Sequence, residues 1–413
     1  MRNTYFKAPY AVVYSRPGPA VPFLDDFAES LHLEGYADRT ACSHLRAAAH
    51  LGVWMQTEGL ACSALDHRRI DAFMAHLSAC TCVRGNRGVY RDARAGVRVF
   101  LAHLRDRGIV PPAASAGRVL PESVERFQQW MLRHRGVTAS TLRPYRPILV
   151  ELVEKVGDPT HYTAGALRTF VAERAARHGR GRAKSVVSAV RMYLRFLAGQ
   201  GLCDSVLVEA IPTIAHWRLA SLPAYLSSAD VERVVGAPHP TTPMGRRDRA
   251  ILLLLARLGL RAGDVTGLRL GDIDWPTGKL HVSGKGRHPG RLPLPQEVGD
   301  AILDYLAAGR PRTDTDHVFV CARAPHRAFR HSASISGIVT LAAERAGVVL
   351  PRGGAHVLRH SLATGLVRTG VPFPIVRAVL RHRSDDMTAY YAKVDVAALR
   401  TIALPWPLEV VPC

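Results

Sequence analysis

The sequence predicts a mainly α-helical protein with a small β-sheet. Apolar residues recur at helical spacing through most of the chain, as in the segments 94–110 and 187–203. One stretch, from Lys279 to Leu294, instead alternates around a glycine-rich middle, which predicts two strands joined by a turn. With 413 residues, the chain is long enough for about two to three domains, each with a core of its own.

The chain is strongly basic. It carries 55 lysine and arginine residues against 34 aspartate and glutamate residues, which gives a formal net charge of +21. Such a charge favours a polyanionic partner, and nucleic acid fits best. Because only six of the basic residues are lysines, a GC-rich coding sequence is a second explanation for the arginine content.

The cysteines, histidines and apolar runs predict neither a metal site nor a membrane segment. Seven cysteines are scattered along the chain without a secretory signal, which is typical of a reducing cytoplasm. His76, Cys80 and Cys82 could form part of a metal cluster, but a fourth ligand at zinc-finger spacing is missing. No apolar run approaches the ~20 residues of a membrane span. We therefore expect a soluble, cytoplasmic protein without a metal.

Proline- and glycine-rich stretches divide the chain into an arm and three folded parts. The predicted boundaries are an extended arm at 1–20, helical modules at 21–112 and 121–205, and a C-terminal domain at 225–405. The two modules echo each other, because each opens with an aromatic residue, Phe27 or Phe127, and closes with an apolar helix followed by glycine. This echo predicts a duplicated helical module.

A basic stretch opens the last predicted helix of the second module. It contains Arg180, Arg182 and Lys184, and the N–H groups at the start of a helix are available to an anion. We predict that these three residues contact the phosphates of a nucleic acid. The alternative is a solvated basic turn, which is the usual environment of a run of charges.

The segment 356–391 carries residues suited to phosphate chemistry. Leucines at four-residue spacing predict a helix on which His356 and Arg359 share a face, so both can reach one anion. A Thr-Gly-Val-Pro break ends that helix. A second amphipathic helix follows, with Ile375 on its apolar face, and ends near His382.

The order of residues in this segment resembles the C-terminal signature of the tyrosine recombinase (phage integrase-like) family. The matching features are His-x-x-Arg-His, then Leu-x-His, then a tyrosine nine residues after that histidine. In that family the tyrosine hydroxyl attacks a DNA phosphodiester and leaves a 3′-phosphotyrosine. The nine-residue step from His382 ends at Tyr391, with Tyr390 as its neighbour out of register. The resemblance implies that Tyr391 is the nucleophile.

Two motifs further upstream resemble the same family. Gly-Leu-Arg261, with Asp264 three residues later, resembles the first catalytic box, in which the arginine binds the scissile phosphate and the acid helps to orient the site. Lys285, between two glycines of the predicted hairpin, resembles the lysine that protonates the 5′ leaving oxygen, and Lys279 is the second choice. Without the resemblance, an Arg261–Asp264 pair at a helix turn and a solvated turn lysine are the alternatives.

The resemblance also implies roles for the remaining residues. Arg359 is a second phosphate-binding arginine, His356 accepts the tyrosine proton or positions the tyrosine, and His382 donates to a non-bridging oxygen. His360 points about a quarter turn away on a helix, so we expect it to have a packing or supporting role. No metal or other cofactor is expected, because the arginines, histidine and lysine supply the positive charge.

Taken as a whole, the pattern implies an enzyme that breaks and rejoins double-stranded DNA, for integration, excision, transposition or resolution. It combines helical DNA-binding N-terminal modules with a mixed α/β tyrosine recombinase catalytic domain. The family implies a homotetramer on two duplexes, alone or with related recombinases. A topoisomerase-like enzyme and a non-catalytic DNA-binding regulator are the rival interpretations. The module at 21–112 departs from the simplest two-domain pattern, and arm-site binding, a longer clamp and protein contact are all compatible with it.

Overall fold

The computed structural model describes residues 18–80, 93–112, 120–214, 223–283 and 289–382, with positions 384, 387, 388, 390, 391 and 393. The chain divides into two compact units, one made of Met1–Pro112 and Leu222–Cys413 and the other of Ala113–Ser221. The described residues form many helices and one three-stranded sheet, which confirms the predicted mainly α fold with a small β-sheet. Within these residues, no helix has both the length and the apolar character needed to span a membrane.

Four longer helices form the N-terminal part of the first unit. They are α1 (Leu24–Leu33), α2 (Asp38–Thr57), α3 (His67–Ala79) and α4 (Ala93–Asp106). Phe27 of α1 contacts Phe100 of α4, with 5.0 Å between the ring centroids, and both rings are fully buried. Burying a side chain of this size contributes about 1.5–3 kcal/mol, so this pair holds the first and last helices together. Of the predicted arm, residues 1–17 lie outside the described residues.

The second unit repeats this arrangement of aromatic contacts. Its helices are α5 (Glu122–His134), α6 (Ala139–Leu142), α7 (Tyr145–Val156), α8 (Ala164–Ala176), α9 (Arg180–Gly199) and α10 (Val206–Glu209). Phe127 of α5 contacts Tyr193 and Phe196 of α9, at 5.5 and 5.7 Å between ring centroids. The core continues beyond residue 205, since Ile211 is 1% exposed.

The C-terminal part of the first unit is built around one buried helix. Its helices are α11 (Ser228–Gly236), α12 (Pro243–Arg257), α13 (Ala262–Gly267), α14 (Gln296–Ala308), α15 (Ala333–Arg345), α16 (His356–Arg368) and α17 (Phe373–Leu380). Residues 250–255 of α12 are apolar and 0% exposed, because α11, α14 and α16 pack around this helix. Thr242 caps its start, where the side-chain oxygen accepts from the N–H of Gly245 at 3.0 Å.

The sheet lies between α13 and α14 in the chain. Its strands β1 (Ile273–Asp274), β2 (Lys279–Ser283) and β3 (Pro289–Pro293) are antiparallel in the order β1-β2-β3. Leu280 pairs with both Ile273 and Leu292, and all three are buried on one face of the sheet. The turn that joins β2 to β3 lies outside the described residues.

Helices α16 and α17 enclose a small apolar cluster next to the main core. Ala363 of α16 and Val376 and Leu380 of α17 are fully buried in it, together with the ring of Tyr391. The prediction that Ile375 faces the core is wrong, because this residue is 53% exposed. Val376 takes its place on the buried face of α17, because Val376 and Leu380 are about one helical turn apart and face α16 together.

Candidate active site

The turn after α12 brings two chain segments close together. Gly259 has φ +56°, in the left-handed region that favours glycine. A Cβ at this position would lie 3.0 Å from side-chain atoms of both Leu362 and Leu380. Glycine therefore lets this turn approach α16 and α17, and its carbonyl accepts a hydrogen bond from Arg359.

Arg261 begins α13 as its N-cap residue. Its backbone N–H donates to Oδ2 of Asp264 at 3.0 Å, and its guanidinium Nη2 donates to the backbone carbonyl of Arg381 at 3.2 Å. The same Asp264 oxygen accepts from the guanidinium of Arg381, and the aspartate is 7% exposed. The buried carboxylate of Asp264 thus orients the backbone of Arg261 and the side chain of Arg381.

The guanidinium of Arg359 is buried on α16, where the residue is 4% exposed. It donates to the backbone carbonyls of Gly259 and Leu380. Burial, together with the nearby charge of Arg261, lowers the pKa of Arg359 to about 10, so the group stays charged at neutral pH. Neutral carbonyls compensate a buried charge only in part, and an anion beside it would form strong charge-assisted hydrogen bonds.

Arg381 is a residue of this site that the sequence analysis missed. It ends α17 in the left-handed conformation, with φ 50° and ψ 52°, which is uncommon for a residue that carries a Cβ. Its Nε and Nη1 atoms are buried and have no hydrogen-bond partner among the described residues. A Cβ on Gly290 of β3 would lie 2.8 Å from Cδ of Arg381, so the hairpin reaches this side chain. The only sequence signal was its place in the Leu-x-His motif.

His382 follows directly and is also buried, with 8% of the residue exposed. Its Nδ1 lies 2.9 Å from the hydroxyl oxygen of Thr388. Burial lowers the pKa of His382 to about 4, and the charges of Arg359 and Arg261 act in the same direction, so the ring is neutral at pH 7. When the threonine hydroxyl donates to Nδ1, the ring proton is on Nε2, which can then donate to another group.

Tyr391 is 3% exposed and lies between two histidines. Its ring is parallel to that of His382, with 2° between the planes and 6.1 Å between the centroids. Its hydroxyl lies 2.7 Å from Nδ1 of His360. Burial raises the pKa of Tyr391 to about 12, against the opposing effects of Arg359 and Arg261. The phenol is protonated at neutral pH and needs a base to become a nucleophile.

His360 has a different position from the one expected. The sequence predicts a packing or supporting role for His360, and the family resemblance implies that His356 accepts the tyrosine proton or positions the tyrosine. In the structure, the hydrogen bond of Tyr391 is made with His360, whereas His356 is exposed and its ring centroid is 6.2 Å from that of His360. Burial lowers the pKa of His360 to about 4, and the nearby His356 adds to this effect, so the ring is neutral at pH 7. Its Nδ1 can accept the hydrogen bond of the phenol when the ring proton is on Nε2. His356 also has a lowered pKa, because the protein desolvates part of its ring and Arg359 is near.

The remaining predicted residues lie on other elements or outside the described residues. Lys285 lies outside the described residues, and Lys279 is exposed at the end of β2 that is remote from the hairpin turn. Arg182 and Lys184 are exposed near the start of α9, in the other unit, whereas the side chain of Arg180 lies outside the described residues. The described site therefore combines arginines, histidines and one tyrosine with the buried carboxylate of Asp264. Its guanidinium and imidazole groups suit an oxyanion placed beside a phenol.

A mainly helical fold with a small sheet, and a tyrosine buried among arginines and histidines, define a protein of the tyrosine recombinase class. Residues 224–397 match the phage integrase family. The chain is also 34% identical over 415 residues to y4rA, an integrase/recombinase of Sinorhizobium fredii (strain NBRC 101917 / NGR234), and the match covers 98% of this chain and 99% of the relative. The chain belongs to the phage integrase family of tyrosine recombinases.

Solved structures have the same fold. The XerH site-specific recombinase, bound to its palindromic difH substrate after cleavage, matches with a TM-score of 0.55 at 16% identity, over 80% of this chain and 93% of XerH. The lambda integrase tetramer bound to a Holliday junction matches with a TM-score of 0.51 at 17% identity, over 75% of this chain and 88% of the integrase chain. At these identities the likeness concerns the fold.

Proposed function

We propose that this protein cleaves and rejoins DNA strands through a 3′-phosphotyrosine intermediate on Tyr391. The observation that carries the proposal is the hydrogen bond between the Tyr391 hydroxyl and Nδ1 of His360, next to the buried charge of Arg359. A phenol, a neutral base and uncompensated guanidinium charge are the three requirements for attack by a tyrosine on a phosphodiester.

The guanidinium groups would bind the scissile phosphate. Arg261 and Arg359 interact electrostatically with each other and with Tyr391, so a phosphate between them would face the nucleophile. Arg381 adds two donor nitrogens, Nε and Nη1, which have no hydrogen-bond partner among the described residues. Both could donate to the oxygens of a phosphate. An anion in this position would reduce the repulsion among the three cations, which favours binding of the phosphate over the empty site.

The proton would move first from the tyrosine to His360. Nδ1 of His360 takes the hydroxyl proton as the phenolic oxygen forms its bond to phosphorus, and the bond from phosphorus to the 5′ oxygen breaks. His382, protonated on Nε2, donates to a non-bridging oxygen, and Lys285 gives its proton to the 5′ oxygen. The last role rests on the family resemblance of the glycine-flanked lysine. Because the phosphotyrosine ester preserves the bond energy, attack by a 5′-hydroxyl rejoins the strand without ATP.

The rest of the chain would hold the DNA. The net charge of +21 and the exposed Arg182 and Lys184 at the start of α9 favour contact with phosphates. The structural relatives described as bound to a difH substrate and to a Holliday junction support DNA as the partner, and the lambda integrase tetramer supports a homotetramer on two duplexes. We assign DNA binding to the helical parts at 21–112 and 121–205, and catalysis to 225–405.

Covalent capture tests this function. The purified protein is incubated with sheared genomic DNA, adducts are isolated under denaturing conditions, and the attached 3′ ends are sequenced to identify the site. A duplex nicked at that site then traps the intermediate. We expect the adduct with the wild type and with the Tyr390→Phe variant, and none with Tyr391→Phe, which should still bind the duplex. An adduct that persists in Tyr391→Phe and disappears in Tyr390→Phe would contradict the assignment.

A strand-transfer assay separates recombination from simple relaxation. Two duplexes of different length that carry the captured site are incubated together, and recombinant lengths are expected. Relaxation of a supercoiled plasmid without any recombinant product would instead support a topoisomerase-like activity.

A further inference from the structure

Two histidines and a cysteine meet in the N-terminal part of the first unit, in a cluster that the proposed chemistry does not use. His50 lies on α2, His76 lies on α3, and Cys80 is the C-cap residue of α3. One ligand atom from each of the three lies within 4.8 Å of the other two. His50 Nε2 and Cys80 Sγ are 3.2 Å apart.

The spacing and the atom types of this cluster suit a zinc ion. Zinc binds imidazole nitrogen at about 2.0–2.1 Å and thiolate sulfur at about 2.3 Å, which places tetrahedral ligand atoms roughly 3.5 Å from each other. The observed separations bracket this value, so small side-chain rotations would bring the three atoms to their positions around one ion. His76 and Cys80 are four residues apart at the end of one helix, and therefore lie on the same face.

We propose that His50, His76 and Cys80 bind a zinc ion that joins α2 to the C-terminal end of α3. The described residues supply three ligands, and the fourth position of a tetrahedral ion is left for water or another group. Cys82, which is close to His76 and Cys80 in the sequence, lies outside the described residues.

The surroundings of His50 favour a ligand role. The residue is 8% exposed, and its ring makes an edge contact with Phe73 at 5.3 Å between centroids. Its Nε2 faces the sulfur of Cys80, so the ring can bind an ion through this atom when its proton is on Nδ1. The thiol of Cys80 would release its proton to solvent when the bond from sulfur to zinc forms.

Metal analysis of the full-length protein tests this proposal. The protein is purified under reducing conditions, loaded with Zn²⁺, and dialysed against metal-free buffer before its zinc content is measured. We expect one equivalent of zinc in the wild type. Cys80→Ser and His76→Gln should lose most of it. The matched controls Cys203→Ser, in the other unit, and His67→Gln, an exposed residue of α3, should keep it.

Cobalt provides a second measurement that depends on the geometry of the site. Co²⁺ bound by a thiolate gives a charge-transfer band in the near ultraviolet, which we expect in the wild type and in His67→Gln but not in Cys80→Ser. Chelation should lower the Tm of the wild type and leave that of Cys80→Ser unchanged, whether or not this variant starts from a lower value. A wild type that retains no zinc and gives no cobalt band, or controls that lose as much metal as Cys80→Ser, would overturn the proposal and leave a hydrogen-bonded His50–Cys80 pair.

Discussion

The hydroxyl of Tyr391 lies 2.7 Å from Nδ1 of His360, a residue next to Arg359 in the motif and 31 positions before the tyrosine. This contact places a neutral imidazole beside the atom that would lose a proton in the proposed attack on DNA. It also shows which of the two motif histidines contacts the phenol, a question that the motif alone leaves open. His356 is exposed, whereas His360 lies at hydrogen-bond distance from the hydroxyl.

Replacing His360 should slow cleavage without weakening DNA binding. We expect His360→Ala to reduce the single-turnover rate of adduct formation by about 100-fold, at the lower end of the range for removal of a general base. The measurement uses the nicked duplex, with binding followed separately by gel shift. His356→Ala is the comparison variant, because its side chain does not contact the hydroxyl. A rate in His360→Ala close to that of the wild type, with a large loss in His356→Ala, would restore the assignment made from sequence.

Arg381 allows backbone strain and function to be measured at one position. A residue with a Cβ in the left-handed region costs about 1–2 kcal/mol relative to glycine. Arg381→Gly and Arg381→Ala both remove the ion pair with Asp264, so the glycine variant should be more stable than the alanine variant by about 1 kcal/mol in urea unfolding. Both should lose adduct formation to the same extent, by about 10-fold or more, as expected when a hydrogen bond to a charged group is lost. Equal stability of the two variants would contradict the observed backbone conformation.

Gly259 should not accept a side chain. Its positive φ and the 3.0 Å approach of Leu362 and Leu380 predict that Gly259→Ala lowers the free energy of unfolding by about 1–2 kcal/mol, and that it displaces the carbonyl which holds Arg359. The matched control is Gly263→Ala in α13, where a Cβ would meet nothing within 4 Å. Because alanine favours the helix over glycine, this variant should raise the free energy of unfolding by up to about 1 kcal/mol. Urea unfolding of both variants measures the difference, and a control that is destabilised as much as Gly259→Ala would refute this explanation.

The buried histidines predict that stability decreases in mild acid. His360 and His382 each have a folded-state pKa of about 4 against an ordinary value of 6.5, so between these pH values the unfolded chain binds more protons than the folded one. The free energy of unfolding is then highest above pH 6.5 and falls as the pH drops towards 4, by up to about 3 kcal/mol for His382. Urea unfolding at several pH values measures this fall, which should be smaller in the double variant His360→Gln/His382→Gln. An unchanged pH dependence in that variant would exclude these two residues as the cause.

The start of α9 should contribute to the salt dependence of DNA binding. If Arg182 and Lys184 each neutralise one phosphate, the double alanine variant should reduce the slope of log affinity against log salt by roughly 2. Lys155→Ala is the control, because Lys155 is 3.3 Å from Glu151 in an intramolecular ion pair. Fluorescence anisotropy over a range of salt concentrations gives the slopes, and identical slopes for the wild type and the double variant would place these residues outside the interface.

The sequence alone determined the features that depend on local order along the chain. Helical periodicity and the Thr-Gly-Val-Pro break predicted α16 and α17, and alternation around glycine predicted the hairpin, because these patterns repeat within one or two turns of chain. The motif spacing also identified Tyr391, rather than Tyr390, as the candidate nucleophile. These conclusions required no knowledge of which distant residues meet.

Only the tertiary structure decided which side chains contact one another across the fold. His360 reaches Tyr391 across 31 positions, and His50 reaches Cys80 across 30, because the packing of helices, rather than sequence spacing, sets these distances. Arg381 joins the site because the end of α17 takes a left-handed turn next to Asp264, a conformation that sequence patterns predict for glycine and not for arginine. Periodicity predicts that a helix has a buried face, and tertiary packing decides which residues form that face, such as Val376 rather than Ile375 in α17, and what they contact.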